Sequence, residues 1–334
     1  MVLCSSLLLL LKIIQMNKFL KITRRKPLLF RLMKCVLRGV TQGTKTAKWL
    51  LKITIPISLA VLLLDYFGII AYVADFTSPV FKYFGLPGVA AIILFTSIFT
   101  NIYSVILIIA TLALPMREGT IIATMCLISH AFPIETAVLS KTGSSAVRML
   151  IIRFVASFVA AYFMNLLMPG KITNIVVNTD IVKPEFWIVI KDWALSMLNT
   201  VVKILILVNL LNILQKILDE FKVTVWLTRP LKPFMKLFGL PESATLGWIV
   251  ANTLGLSYGS AVMISLVEDK KLNKKDADLL NHHNAVSHSQ LEDPLLFMTF
   301  GYSIAWLIFP RVILAIVCVW LRKLELYIRH LGKK

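Results

Sequence analysis

Two short stretches of this chain carry the residue types that chemistry in a water-poor interior needs. Ser129-His130 is followed by Glu135, and Ser287-His288 is followed by Glu292 and Asp293. Imidazole paired with carboxylate can bind a divalent metal ion or a polar solute, and histidine changes charge near neutral pH, so it could also couple solute movement to protons. A plainer role competes with these: each Ser-His breaks a helix, and its histidine bonds a free carbonyl of its own hairpin. The two stretches lie 158 residues apart (287 − 129). Ser78-Pro79-Val80-Phe81-Lys82-Tyr83-Phe84-Gly85-Leu86-Pro87 likewise returns as Lys232-Pro233-Phe234-Met235-Lys236-Leu237-Phe238-Gly239-Leu240-Pro241, 154 residues on (232 − 78). An insertion in the polar stretch Val267 to Leu280 accounts for the difference, so the chain is two copies of one unit.

The elements that position these residues are membrane helices. At 58% hydrophobic, with a mean hydropathy of +0.81, the chain exceeds ordinary soluble composition. Stretches of about 20 apolar residues can cross a hydrocarbon core, and six are found: Trp49 to Tyr72, Gly88 to Leu114, Ala146 to Met168, Leu198 to Leu218, Ser243 to Leu266 and Gly301 to Leu321. Their apolar character is continuous rather than alternating, which selects helices over a barrel. Between the second and third crossing of each copy lies a segment too short and interrupted to cross twice. Thr120 to Ser129 reads as a half-helix broken around Pro133, with Ile134 to Lys141 leading back. Asp276 to Ser287 reads the same way, broken from His288 to Pro294 and returning by Met298. Unwound backbone at membrane depth persists only where protein or water surrounds it, and helix ends there present partial charges that transporters use. His130, Glu135, His288, Glu292 and Asp293 are therefore the leading candidates for a solute or ion site.

Further polar residues sit in the second crossing of each copy. Thr96, Ser97, Thr100, Asn101, Tyr103 and Ser104 interrupt the first, and Asn252, Thr253, Ser257, Tyr258 and Ser260 the second. Asn101, Asn252 and Ser257 are secondary candidates for substrate contact, although helix packing is the favoured explanation of such residues. In the second hairpin Asn281, Asn284 and His288 can share a helical face, and Asp278 precedes His282 by four residues. His282, His283 and His288, with the nearby acids, suggest a divalent metal site, but their spacing matches no established metal motif. Cys4, Cys35, Cys126 and Cys318 have no paired spacing and read as small apolar residues. No phosphate-binding glycine loop and no nucleophile with a positioned base is present, so no enzyme and no cofactor is expected.

A formal charge of +19 could indicate nucleic acid, but its distribution indicates a membrane surface. Twelve Lys and Arg residues lie between Lys12 and Lys52, and the first acid is Asp65. This block abuts the first crossing and should be cytoplasmic, against anionic headgroups. Three crossings per copy then invert the second. The near-neutral link Ala74 to Pro87 falls outside, the basic link Phe221 to Pro241 inside, the charge-balanced connection Gly170 to Asp192 outside, and the basic C-terminus inside. Val267 to Leu280 disagrees, since it should lie outside yet holds four lysines. Pro184 to Trp193 reads as an interfacial helix. Leu7 to Leu11 resembles a signal core without a positive n-region, and a start at Met16 or Met33 fits equally.

The order of features resembles the nucleoside-recognition or Gate family. The Phe-Gly-Leu-Pro motif, the polar-interrupted crossing, and Ser129-His130-Ala131-Phe132-Pro133-Ile134-Glu135-Thr136-Ala137-Val138 with Lys141-Thr142-Gly143-Ser144-Ser145 carry the resemblance, which runs from Lys48 to about Lys323. Membrane portions of ferrous-iron transporter B, the spore maturation A and B proteins, and part of the concentrative nucleoside transporters belong to that family. The GTP-binding domain of the iron carriers and their membrane cysteines have no counterpart here. The resemblance implies a transporter, or part of one, of unassigned substrate. The expected fold is all-α and integral to the membrane: two inverted repeats, each with three crossings and a broken re-entrant hairpin. The divisions are a basic cytoplasmic segment 1–47, repeat one 48–170, an external connection 171–193, repeat two 194–323 and a basic tail 324–334. The expected function is movement of a small polar or ionic solute across the inner membrane, with a divalent-metal permease and a non-transporting assembly subunit as alternatives. Expected partners are anionic lipid and the solute or ion, not nucleic acid, with homo-oligomerisation left open.

Overall fold

The computed structural model describes residues 27–112, 114–170 and 185–331, with a few helical side chains, that of Ser257 among them, outside the description. The alternative start sites Met1 and Met16 and the connection 171–184 also lie outside the described residues. Every described element is helical. Contacts divide the chain into a smaller unit, up to Lys48 with Leu205–Val223, and a larger one of Trp49–Ile204 with Thr224–Lys334.

In the smaller unit the start of α1 (Pro27–Tyr66) runs antiparallel to the end of α8 (Phe186–Glu220). A Cβ on Gly39 would lie 2.5 Å from the Ile213 backbone, and one on Gly43 2.7 Å from Asn209. Only small residues permit that approach of two helices. Arg31 closes the pair by donating to Glu220 Oε1 at 2.8 Å.

The larger unit contains the same run of elements twice. The first is α2 (Ile69–Phe81), a 3-10 turn at Lys82–Phe84, α3 (Ala90–Phe99), α4 (Ile102–Thr111), α5 (Met116–Ser129), α6 (Phe132–Lys141) and α7 (Ala146–Leu167). After the short α9 (Val223–Trp226), the second is α10 (Thr228–Leu237), a 3-10 turn at Glu242–Ala244, α11 (Thr245–Thr253), α12 (Leu256–Glu268), α13 (Lys274–Val286), α14 (Glu292–Met298) and α15 (Ile304–Leu331). The Phe-Gly-Leu-Pro motif makes the same stop in both. Gly85 and Gly239 take φ of 66° and 72°, a left-handed geometry that glycine adopts freely. Leu86 and Leu240 then donate back to Phe81 and Met235, at 3.1 and 2.8 Å, and the proline prevents continuation.

Helices α7, α8 and α15 are long and apolar enough to cross a membrane. Helices α5 and α6 meet at a 42° bend and make a fourth span if counted as one. Two expectations change. The second crossing of each copy, expected as one helix over Gly88 to Leu114 and Ser243 to Leu266, is broken into α3 with α4 and α11 with α12. Thr100 is extended and Asn101 begins a new helix, while Gly255 sits at φ 95°. The interfacial helix expected over Pro184 to Trp193 is instead the start of α8, where Trp193 donates to Ser58 Oγ at 3.1 Å.

The centre is built crosswise. Helix α5 packs along α7 and α13 along α15, while α13 also touches α7 and α15 touches α5. Ile128, Ala156, Ala160, Val286 and Ala315 form a buried cluster drawn from all four. Lipid tails are as apolar as leucine, so close fit rather than water exclusion holds such helices, and the alanines supply it. This packing brings the C-terminal ends of α5 and α13 together.

Candidate functional site

Helix α5 ends where His130 turns extended, with φ −75° and ψ 160°, and Ala131 takes φ 47° before α6 begins. Helix α13 ends at Ser287, and Ser289 takes φ 49° before α14 begins. The freed backbone is satisfied by the neighbouring break. Ala131 N–H donates to the carbonyls of Ser97 and Thr100, both at 2.9 Å, while Ser289 and Leu291 donate to those of Ala251 and Asn252 at 2.9 and 3.0 Å. Each hairpin tip thus occupies carbonyls at the end of α3 or α11, which in lipid would otherwise be costly to leave unpaired.

Two buried arginines fix the tips. Arg153 on α7 donates from Nε to the Ile128 carbonyl at 2.8 Å and from Nη2 to the His130 carbonyl at 2.6 Å. Arg311 on α15 donates from Nη2 to the His288 carbonyl at 2.6 Å. Both side chains are fully buried. A cation at a helix C-terminus answers the negative end of the helix dipole. Sequence reasoning passed over both, because each is a single charge in an apolar span. Yet each follows its histidine by 23 residues (153 − 130 and 311 − 288), and an ionisable residue within a span is itself a functional signal.

Glu135, on the first turn of α6, joins the two copies. Its Oε2 accepts from Arg153 Nη2 at 2.6 Å. Its Oε1 lies 3.1 Å from His130 Nε2 and 3.2 Å from His288 Nε2, the latter without the alignment of a hydrogen bond. The two imidazole centroids are 5.4 Å apart. Nδ1 of each ring is occupied by a carbonyl four residues back, that of Cys126 at 3.0 Å for His130 and that of Asn284 at 2.8 Å for His288. The three side chains can converge on one ion, since their ligand atoms all lie within 4.8 Å of one another.

The other candidates have separate surroundings. Glu292 accepts from the Tyr103 hydroxyl at 2.9 Å, a partner supplied by α4. Asp293, which stands 158 residues after Glu135 (293 − 135), is 6% exposed, and its Oδ2 has no hydrogen-bond partner among the described residues. Asn101 is the N-cap of α4, its side chain accepting from Tyr103 and Ser104 amides at 3.1 and 3.2 Å. Asn252 donates to the Trp248 carbonyl at 2.9 Å, and its Oδ1 is buried without a hydrogen-bond partner among the described residues. The Ser257 side chain lies outside the described residues.

The His282, His283 and His288 set is not brought together as a metal site. Adjacent positions on α13 point in different directions, so each histidine meets its own neighbours. His282 Nδ1 bonds the Asp278 carbonyl at 2.7 Å, beside the Asp278–Arg322 pair. His283 is packed against Phe238 and Trp248 and receives the Trp248 indole N–H at 3.4 Å. Only His288 reaches the central carboxylate. Asn281 donates to the Leu139 carbonyl, Thr142 Oγ1 and Ser144 Oγ at 3.0, 2.7 and 2.9 Å, tying α13 to the end of α6.

Long apolar helices, paired broken hairpins and ionisable residues at the breaks define a multi-pass helical membrane protein with a polar centre. A family model described as nucleoside recognition, the Gate domain, matches residues 47–166, the first of the two runs. The chain is also 30% identical over 305 residues to the uncharacterized membrane protein YvoD of Bacillus subtilis (strain 168), covering 90% of this chain and 96% of that protein. No solved structure matches it. The chain belongs to the Gate nucleoside-recognition family of membrane proteins.

Proposed function

We propose that this protein is a transporter of the Gate type, moving a small polar or ionic solute across the cytoplasmic membrane through the paired helix breaks of two inverted repeats. The observation that carries the reading is Glu135 of the first hairpin standing between His130 of its own copy and His288 of the other. A group shared by both repeats can respond when one moves against the other, as alternating access requires. The inverted arrangement rests on the charge pattern, with both termini cytoplasmic. Cysteines placed at Asp180 and Arg229 test it: an impermeant reagent added outside should label only position 180, and labelling of both would remove the inversion.

The transport role is tested on purified protein. A thermal-shift screen against nucleosides, divalent metal ions and organic anions identifies a stabilising ligand, whose uptake is then followed into proteoliposomes. Glu135→Gln and His288→Ala should abolish uptake while the protein remains folded in the membrane, and His130→Ala should weaken it. Retained uptake in the first two variants would move the site elsewhere. Absence of uptake for every ligand, with a partner that co-purifies at fixed ratio, would assign an assembly role instead.

A further inference from the structure

The two histidines present the same face to Glu135. In each ring Nδ1 meets a main-chain carbonyl, at 3.0 Å for His130 and 2.8 Å for His288. A carbonyl only accepts, so Nδ1 carries the proton and Nε2 is left as a lone-pair donor. Both Nε2 atoms lie beside the same carboxylate oxygen, 3.1 and 3.2 Å away. Three electron-rich atoms therefore converge, and they repel one another unless a positive charge is shared among them. One added proton serves only one histidine, leaving the other lone pair against the carboxylate. Two added protons place two imidazolium charges in a buried site that already holds Arg153.

We propose that His130, Glu135 and His288 form a binding site for a single divalent transition-metal ion. The inference rests on the transport site described above and deepens it by naming the class of ion it takes. Metal–nitrogen and metal–oxygen bonds of about 2.0 to 2.2 Å in tetrahedral geometry place neighbouring ligand atoms roughly 3.3 Å apart. The two nitrogen–oxygen separations are close to that without rearrangement. Two imidazoles and one carboxylate suit zinc, cobalt, iron or manganese rather than magnesium or calcium, which take oxygen ligands. The carbonyls on Nδ1 hold each ring in its ligating tautomer, and Arg153 holds Oε2 so that Oε1 alone faces the ion. Asp293, buried and with its Oδ2 lacking a hydrogen-bond partner among the described residues, is a further carboxyl group in the second hairpin. Three protein ligands leave a coordination position open, the arrangement of exchangeable rather than structural ions.

The test uses the full chain in lipid nanodiscs, stripped with a chelator and titrated with Co²⁺. One equivalent should bind, with the intense visible bands of a four-coordinate ion, and Zn²⁺ should displace it. Glu135→Gln and His288→Gln should each weaken binding by more than about 100-fold, since even loss of an outer hydrogen-bond partner costs 10 to 100-fold. His282→Gln, on the same helix but facing Asp278, should bind as the unaltered protein does. His288→Cys provides a gain of signal, because a thiolate on cobalt adds a sulfur-to-metal charge-transfer band. Absence of Co²⁺ binding by the unaltered chain, or affinity unchanged in both the Gln variants, would overturn the assignment. So would a His288→Cys variant that binds Co²⁺ without that band. Uptake of another solute that survives when no metal binds would overturn the metal site alone and leave the transport reading standing.

Discussion

The two hairpins share a backbone and differ in chemistry. In the first, α5 buries Ile121, Ile122, Ala123, Met125 and Leu127 beside Glu118, Thr120 and Thr124, the two threonine hydroxyls bonding back to carbonyls four residues earlier, and its histidine and the partner carboxylate stand at the tip in His130 and Glu135. In the second, α13 buries Asp278, Asn281, His282, His283 and Asn284 along its length before reaching His288. The arginines differ in the same sense. Arg153 engages two carbonyls and Glu135, whereas Arg311 engages one carbonyl, with Nε and Nη1 lacking hydrogen-bond partners among the described residues. Glu135 is held through Oε2 by Arg153 with Oε1 beside both histidines, while its counterpart Asp293 has Oδ2 without a hydrogen-bond partner among the described residues. Duplication supplies two equivalent scaffolds, and divergence makes the first tip the charged anchor and the second hairpin the polar wall beside it.

Removing each arginine is the strongest way to break this comparison. Arg153→Ala leaves a partly buried carboxylate and two carbonyls without their donor, and breaking a buried pair costs about 3 to 5 kcal/mol. Arg311→Ala removes one carbonyl bond, so its cost should be nearer 1 to 3 kcal/mol, roughly the desolvation penalty of one unpaired group. Thermal unfolding in detergent should place Arg153→Ala well below Arg311→Ala. Equal losses would mean that the hairpins are energetically alike.

A smaller effect separates capping from ligand binding. Asn101→Ala should lower stability by about 0.5 to 2 kcal/mol through loss of the α4 cap, while uptake or ligand affinity per folded molecule is unchanged. If stability holds and affinity falls, Asn101 belongs to the site. The smallest change sharpens the backbone comparison. Ala131 and Ser289 both occupy left-handed geometry, which costs an L-residue roughly 1 to 2 kcal/mol. Ala131→Gly and Ser289→Gly should therefore each raise the unfolding temperature slightly. A decrease in either would show that the tip geometry differs from the one described.

The sequence made the hairpins legible because their breaks carry local signals: Pro133 and Pro294 near each turn, polar residues at each tip, and a repeat displacement that pairs them. The Phe-Gly-Leu-Pro stops were legible for the same reason. The breaks at Thr100–Asn101 and at Gly255 were not, since the flanking residues are apolar enough to read as one span. Asn101 was the available signal, as a cap residue in the middle of an apparent helix. Glu292 follows His288 closely, but the displacement of 158 that relates the histidines relates Glu135 to Asp293 (293 − 135), and Glu292 is taken up by Tyr103. The contact between Glu135 and His288 joins different repeats, and only the crosswise packing of α5, α7, α13 and α15 brings it about.

That contact is the centre of the account, and a double-mutant cycle measures it. Glu135→Gln, His288→Gln and the double variant, compared by equilibrium unfolding in the same micelle, isolate the energy shared by the two positions. Residues in contact typically show a coupling of about 0.5 to 3 kcal/mol, whereas separated ones add to within roughly 0.3 to 0.5 kcal/mol. The account predicts coupling in the first range, and it predicts simple additivity when His288→Gln is replaced in the cycle by His283→Gln. Additivity for Glu135 with His288 would contradict it, because the two helix breaks would then not form a single site.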